Sequence, residues 1–370
     1  MCIRDRLGTW MWDEKDIPND LGSTTISLPD SLYETLPSWT WKGEVQVVRP
    51  RWLLDIYGGA GDAHPQYVPQ PASEIGRYGF TSGSAFAGSP SEEDLYNNLY
   101  TGPNYEVYIH IYDRHQLTGD YSYLPAKPIW GGTHQFKFGS TETFESGDTK
   151  VPKEYASGDY LLIFDSPNAQ ATTPSPYEIT VFNYPVFPQN QLNSQSIYAM
   201  DNWALKRVSL NLGVRAERYR AFYPKQVTTA NQFADVFPKT TIPDTTVLTW
   251  FDVVPRVGAA WDITGNGKTV VKGSFGMFGD TMGFLYANLY NPESVQSRTY
   301  DWDGPCQATA ALAPIEWQCD VTAATLATLP SLPVVSQSGG ISQLLNRNLK
   351  QDRTYEYVLK VCLLYTSRCV

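Results

Sequence analysis

The sequence is short of charge, and of positive charge most of all. Only 18% of its 370 residues are Asp, Glu, Lys or Arg, and acids outnumber bases to leave a formal net charge of −10. With no basic cluster, this balance excludes a nucleic-acid backbone as partner. The chain also lacks any run of roughly 18 apolar residues, so no transmembrane helix is expected. That absence does not touch a barrel strand, which buries only every second side chain in lipid. Histidine is scarce. The four residues His64, His110, His115 and His134 are scattered, and none has a neighbour at the spacing of a zinc site. No metal ligand and no cofactor is therefore expected. No serine sits in a Gly-x-Ser-x-Gly elbow and no carboxylate pair stands out, so no catalytic residue is assigned and the chain is read as a non-enzyme.

Cysteine is limited to five residues, three of which (Cys2, Cys362 and Cys369) lie near the ends. Those ends are unusual. Met1 to Asp5 can be written in codons whose reverse complement, in a shifted frame, encodes the Cys362 to Thr366 peptide. An inverted repeat at both ends has the form of a library adaptor translated with its insert. Residues 1–6 and 362–370 are therefore expected to be scars. Residues 7–361 are expected to be the genuine chain, cut at both ends. The remaining Cys306 and Cys319 lie in a polar segment. Their expected role is a disulfide closing an exposed loop in an oxidising compartment, worth roughly 3 kcal/mol if unstrained.

Aromatics, by contrast, are abundant, with 24 Tyr, 15 Phe and 11 Trp, and 26 Pro and 28 Gly punctuate the chain. This is the composition of an all-β protein rich in turns. Strict alternation supports it. From Val208 to Glu217, Val208, Leu210, Leu212, Val214 and Ala216 share one face, while Ser209, Asn211, Arg215 and Glu217 share the other. A period of two over about ten residues is the signal of a tilted strand crossing a bilayer. The pattern recurs at Trp39–Val47, Gln116–Tyr123, Val257–Ile263 and Thr269–Met277.

Four hairpins follow: 39–48 with 52–59, 112–123 with 133–144, 194–203 with 208–222, and 252–263 with 268–279. The last turns at Thr264-Gly265-Asn266-Gly267, where Gly and Asn supply positive φ. Long segments at 60–111, 145–193, 223–251 and 280–351 separate the hairpins. Alternating short and long connections are the mark of an outer-membrane barrel with short periplasmic turns and long outer loops. Trp203 at one end of a strand pair, and Tyr219, Phe222 and Tyr223 at the other, are expected to form aromatic girdles. Asp301-Trp302-Asp303-Gly304 is read as a solvated turn rather than a calcium loop. Gly265-Asn266-Gly267-Lys268 is read as a hairpin turn rather than a phosphate loop.

The phrases Tyr198-Ala-Met-Asp201-Asn-Trp203 and Val208-Ser-Leu-Asn-Leu-Gly-Val-Arg215 resemble the barrel pattern of TonB-dependent receptors. So do Pro255-Arg-Val-Gly258 with Thr264–Lys272, Gly131–Gly139, and Leu349–Glu356. The likeness covers about residues 110–361 and is nearest the Oar-like subgroup. The resemblance implies a partial antiparallel transmembrane β-barrel of receptor type, in the outer membrane of a Gram-negative bacterium. It implies ligand uptake, with the plug and final strands missing and a TonB complex engaged through a missing N-terminal region. The partners implied are outer-membrane lipid and a small-molecule, glycan or peptide ligand. Lumen-facing residues would be Glu44, Arg215, Glu217 and Lys272; no family ligand residue is carried over. Two readings compete: a secreted soluble β protein (glycan-binding module or glycosidase), and a passive porin or adhesin barrel.

Overall fold

The computed structural model describes residues 4–20, 31–69, 91–101, 108–151, 160–165, 175–304, 306–309, 316–319, 321–341 and 346–363. The alternating segments become strands of one antiparallel sheet. In order they are β1 (Arg4–Asp13), β2 (Ser38–Arg49), β3 (Trp52–Ala63), β4 (Tyr108–Tyr123) and β5 (Thr133–Lys150). Then come β6 (Gln191–Ala204), β7 (Val208–Tyr223), β8 (Thr245–Asp262), β9 (Thr269–Gly279) and β10 (Arg353–Leu363). Each strand pairs with its neighbours in sequence order, and short strands 16–20, 32–35 and 66–69 attach at one rim.

All four expected hairpins are present; the first three extend past their expected bounds at the long-loop end, whereas the fourth pairs only 256–262 with 270–276. The tight turns have local causes. At 262–269 the Asp262 carboxylate accepts the backbone N–H groups of Gly265 and Gly267, whose φ values are +73° and +75°. Positive φ at both positions is what only glycine takes without strain. The hairpin-turn reading of this segment therefore holds. One strand was not foreseen. β1 pairs with β2 across its whole length, and Arg4–Arg6, inside the expected scar, continues it. Cys362 and Leu363 likewise continue β10. Residues 1–3 and 364–370 lie outside the described residues.

The register places one parity of every strand on each face. On one face stand Trp10, Trp41, Val45, Ile56, Leu117, Phe138, Ile197, Leu212, Val214, Val257, Trp261 and Leu359, all exposed. On β7 this apolar run extends from Val208 to Ala216, and Arg218 ends it. About eight residue steps of roughly 3.4 Å give ~27 Å along the strand. A tilt of ~40° reduces that to ~21 Å, close to the ~25 Å lipid band of a barrel. The other face carries Lys42, Glu44, Asp55, Arg114, Thr118, Asp120, Thr141, Ser196, Arg215 and Glu217.

The described parts of the long segments are folded as well. Three of them contribute to a second, six-stranded sheet in the order 334–339, 296–301, 176–182, 160–164, 91–94, 99–101. One core of this cap joins Leu162, Phe164, Ile179 and Val181 to Phe233, Val236, Tyr300, Trp302 and Leu329. The 301–304 segment is thus no solvated turn throughout, because Trp302 is buried in that core. The upper girdle also needs correction. Tyr219 and Tyr223 are buried in a cluster with Leu192, Trp250, Met282 and Ala287, and Phe222 is buried as well. The cap loops cover Tyr219 and Tyr223, so those two do not meet lipid. At the opposite end Trp203 stacks on His134 at 5.1 Å and meets Trp130 edge-on at 6.3 Å, as a girdle requires.

Candidate functional site: the polar wall and the chamber beneath the cap

The alternation of β4 to β8 builds a polar wall whose charges are paired sideways. Arg114 lies 3.5 Å from Glu145 and also donates to Gln116 at 3.2 Å. Gln116 passes the chain to Thr118, and Thr118 to Thr141. Arg215 pairs with Glu217, which also accepts from the Tyr219 hydroxyl at 3.4 Å. Lower on the wall Asp120 accepts the Tyr198 hydroxyl and lies 3.4 Å from Lys137, whose ammonium stands 5.6 Å above the Tyr198 ring. Lys42 pairs with Glu44 at 3.0 Å and lies 4.9 Å over Tyr57. Such ladders satisfy polar groups that face water or a protein filling, and they would be costly against hydrocarbon.

The segment after β9 folds over this wall. Met282 is buried beside Tyr219. Phe284 fits where Gly147 has no side chain, since a Cβ there would stand 2.1 Å from its ring. A short helix, α1 (Leu285–Tyr290), follows and buries Ala287. Two anchors hold the segment's far end. Arg353 grips the Asp252 carboxylate through Nε and Nη2, at 3.0 and 2.6 Å, and the Trp250 indole donates to the Leu349 carbonyl at 2.9 Å. A buried amide cluster ties three loops together. Asn291 donates to Asn190, Gln226 donates to Asn291, and the Asn190 amide donates to the Gly147 carbonyl. Next to it Glu293 accepts the Phe187 N–H, and burial pushes its carboxyl above the usual range.

Between wall and lid lies a cavity of about 500 Å³, lined by Arg114, Gln116, Thr141, Thr143, Glu145, Ser194, Ser196, Arg215, Tyr219 and Thr281–Gly283. Its lining is mostly hydroxyl, amide and paired charge, which suits a polar solute or a protein plug.

The expected lumen residues Glu44, Arg215, Glu217 and Lys272 all fall on the polar face. His115 and His134 lie on adjacent strands, yet they do not converge, because His115 faces Phe144 and His134 faces Trp203. Cys306 and Cys319 are directly opposed in an antiparallel ladder; their side chains lie outside the described residues. The sequence reading assigned no metal ligand, but the fold brings Asp62, His64 and Asp113 together. The Asp-x-His spacing at 62–64 was the legible half of that cluster; Asp113 arrives through strand pairing.

An exposed apolar band on one face, a polar ladder on the other and a folded cap at one rim define a wall of an integral outer-membrane barrel. The sequence matches the family described as outer membrane beta barrel domain over residues 5–361, and the chain belongs to that family. Its location is the outer membrane. Among solved structures it is similar to the outer membrane transporter YddB from Escherichia coli, at 9% identity over 82% of this chain and 43% of that one, with a TM-score of 0.41. It is also similar to the ferric-catecholate import receptor Fiu from Escherichia coli K12, at 12% identity over 91% and 46%, TM-score 0.43. A third is the siderophore receptor PiuA from Acinetobacter baumannii, at 10% identity over 77% and 39%, TM-score 0.35. The chain spans less than half the length of these structures. No curated protein matches the sequence.

Proposed function

We propose that this chain is part of the barrel of a TonB-dependent receptor, nearest the Oar-like subgroup, that takes up a ligand across the outer membrane. The observation that carries the reading is the polar wall closed at its outer end by an inward-folded lid, leaving a chamber of about 500 Å³. A barrel that only anchored an adhesin would have no use for such a chamber. Paired rather than free charges on the wall suit contact with a plug domain, where each exposed polar group needs a partner. On this reading the lid and cap select the ligand, which is a small molecule, glycan or peptide. A plug supplied by another part of the gene couples release to the TonB complex. The protein performs no bond-making chemistry.

The test is a long read across the native locus, followed by expression of the complete gene. The reading expects a plug-encoding segment upstream and a closing strand downstream. It also expects uptake that stops when the tonB gene is deleted. A complete gene without a plug, giving leakage independent of TonB, would establish the passive porin instead.

A further inference from the structure

We propose that Asp62, His64 and Asp113 form a binding site for a divalent transition-metal ion on the outer rim of the barrel wall. The three side chains each offer a ligand atom, and these atoms lie within 4.8 Å of one another. His64 Nε2 is 2.9 Å from Asp62 Oδ1. That is about the separation of cis ligands on an octahedral ion with bonds of about 2.0–2.2 Å; a tetrahedral ion would set the two atoms about 3.3–3.6 Å apart.

The backbone fixes the arrangement. Asp62 and Asp113 are direct cross-strand partners in the β3–β4 ladder, so their carboxylates share one face. Like charges placed directly opposite destabilise a ladder. Among the described residues neither carboxylate has a lysine or arginine partner, and the one basic side chain beside them is the imidazole of His64, which binds a metal in its neutral form. The two carboxyl groups lie close enough to share a hydrogen bond, and a divalent ion taking the place of the shared proton would neutralise the pair. On the strand beyond, the Ser146 hydroxyl donates to Asp113 Oδ2 at 3.4 Å and orients that carboxylate, as partners of metal ligands do. All three residues are half-buried. One nitrogen and two carboxylate oxygens select a first-row ion such as Zn²⁺ or Mn²⁺ over Ca²⁺ or Mg²⁺, which prefer oxygen alone.

The location gives the site a use. Asp62 and His64 stand where the chain leaves β3, and Asp113 stands where it has re-entered β4. An ion there would clamp the base of the long 64–107 connection. The proposal does not depend on the transport reading.

The experiment is titration calorimetry on the full chain refolded in detergent micelles, with ZnCl₂, MnCl₂ and CaCl₂ as probes. One Zn²⁺ should bind per chain. His64→Gln and Asp113→Asn should each weaken Zn²⁺ binding at least tenfold, while His64→Gln leaves any Ca²⁺ binding unchanged. Unaltered Zn²⁺ affinity in both variants overturns the proposal, as does absence of binding to the unsubstituted chain. Should a variant fail to refold, electron paramagnetic resonance of Mn²⁺ on the unsubstituted chain decides. Coupling to an imidazole nitrogen supports the site, and a spectrum of oxygen ligands alone overturns it.

Discussion

Single residues show how sharply the two faces differ. Leu212 lies in the middle of the apolar run of β7 and is 40% exposed, whereas Ser209, three positions earlier, has the opposite parity. Leu212→Arg should reduce the fraction of chain that folds into lipid vesicles, by ~2–4 kcal/mol if the position is near the midplane. Ser209→Arg should cost much less. Equal insertion by both would reverse the assigned faces. Glycine gives a second comparison. A Cβ on Gly139 would stand 2.4 Å from both Asp120 Oδ1 and Tyr198 Cε1, while one on Gly119 would meet nothing within 4 Å. Gly139→Ala should therefore displace Tyr198 and cost about 1–3 kcal/mol in urea unfolding, with Gly119→Ala near neutral.

Glu293 supplies a pH effect. Its carboxyl is raised above the ordinary 4.5 by burial, so the folded loop binds a proton that the open loop releases. The stabilisation is complete below that ordinary value and is lost as pH rises through the raised one. Protease resistance of the 280–300 segment should fall from pH 4.5 toward 8, and Glu293→Gln, which keeps the acceptor for Phe187, should flatten the fall.

At the scale of elements, the strands were legible and the cap was not. Alternation around Val208–Glu217 revealed its own facing, because a strand with one wet and one lipid side writes its period into the sequence. The turn at 264–267 was legible for a similar reason, since Gly265 and Gly267 stand where the backbone takes positive φ. The cap strands carry no such mark. Ser91–Asp94 is a buried strand made of Ser-Glu-Glu-Asp, held between Leu161–Phe164, some seventy positions away, and Leu99–Thr101. Its partners, not its own composition, make that segment a strand. Tyr219 and Tyr223 were misread for a related reason: their position near a strand end says nothing of a loop that returns from residue 282 to cover them. Asp113 was invisible as a neighbour of His64 until the register was known. The Cys306–Cys319 ladder allows a direct check of the loop disulfide. Intact-mass analysis after alkylation should show neither thiol labelled before reduction and both labelled after it; labelling without reductant would exclude the bond.

On the scale of the whole molecule, the lipid-facing side is rich in tryptophan. Trp10, Trp12, Trp41 and Trp261 are all exposed on it. Trp250 and Trp302 are instead buried under the cap. Brominated lipid should quench a large share of the fluorescence of the vesicle-inserted chain. Replacing Trp41 and Trp261 by Phe should remove much of the quenched share, whereas replacing Trp302 should leave it. Quenching that depends on Trp302 would place the cap, not the band, in the bilayer.

The cap sheet interleaves strands from separate connections, and its core takes side chains from still another. The outer loops therefore cannot be treated as independent fingers. An insertion in one would shift the register of strands borrowed from the others, and grafting a single loop onto a related barrel would leave its partners with unpaired edges. Diversity at this surface has to be inherited as a block, because the described parts of the outer loops form one panel rather than several separate pieces.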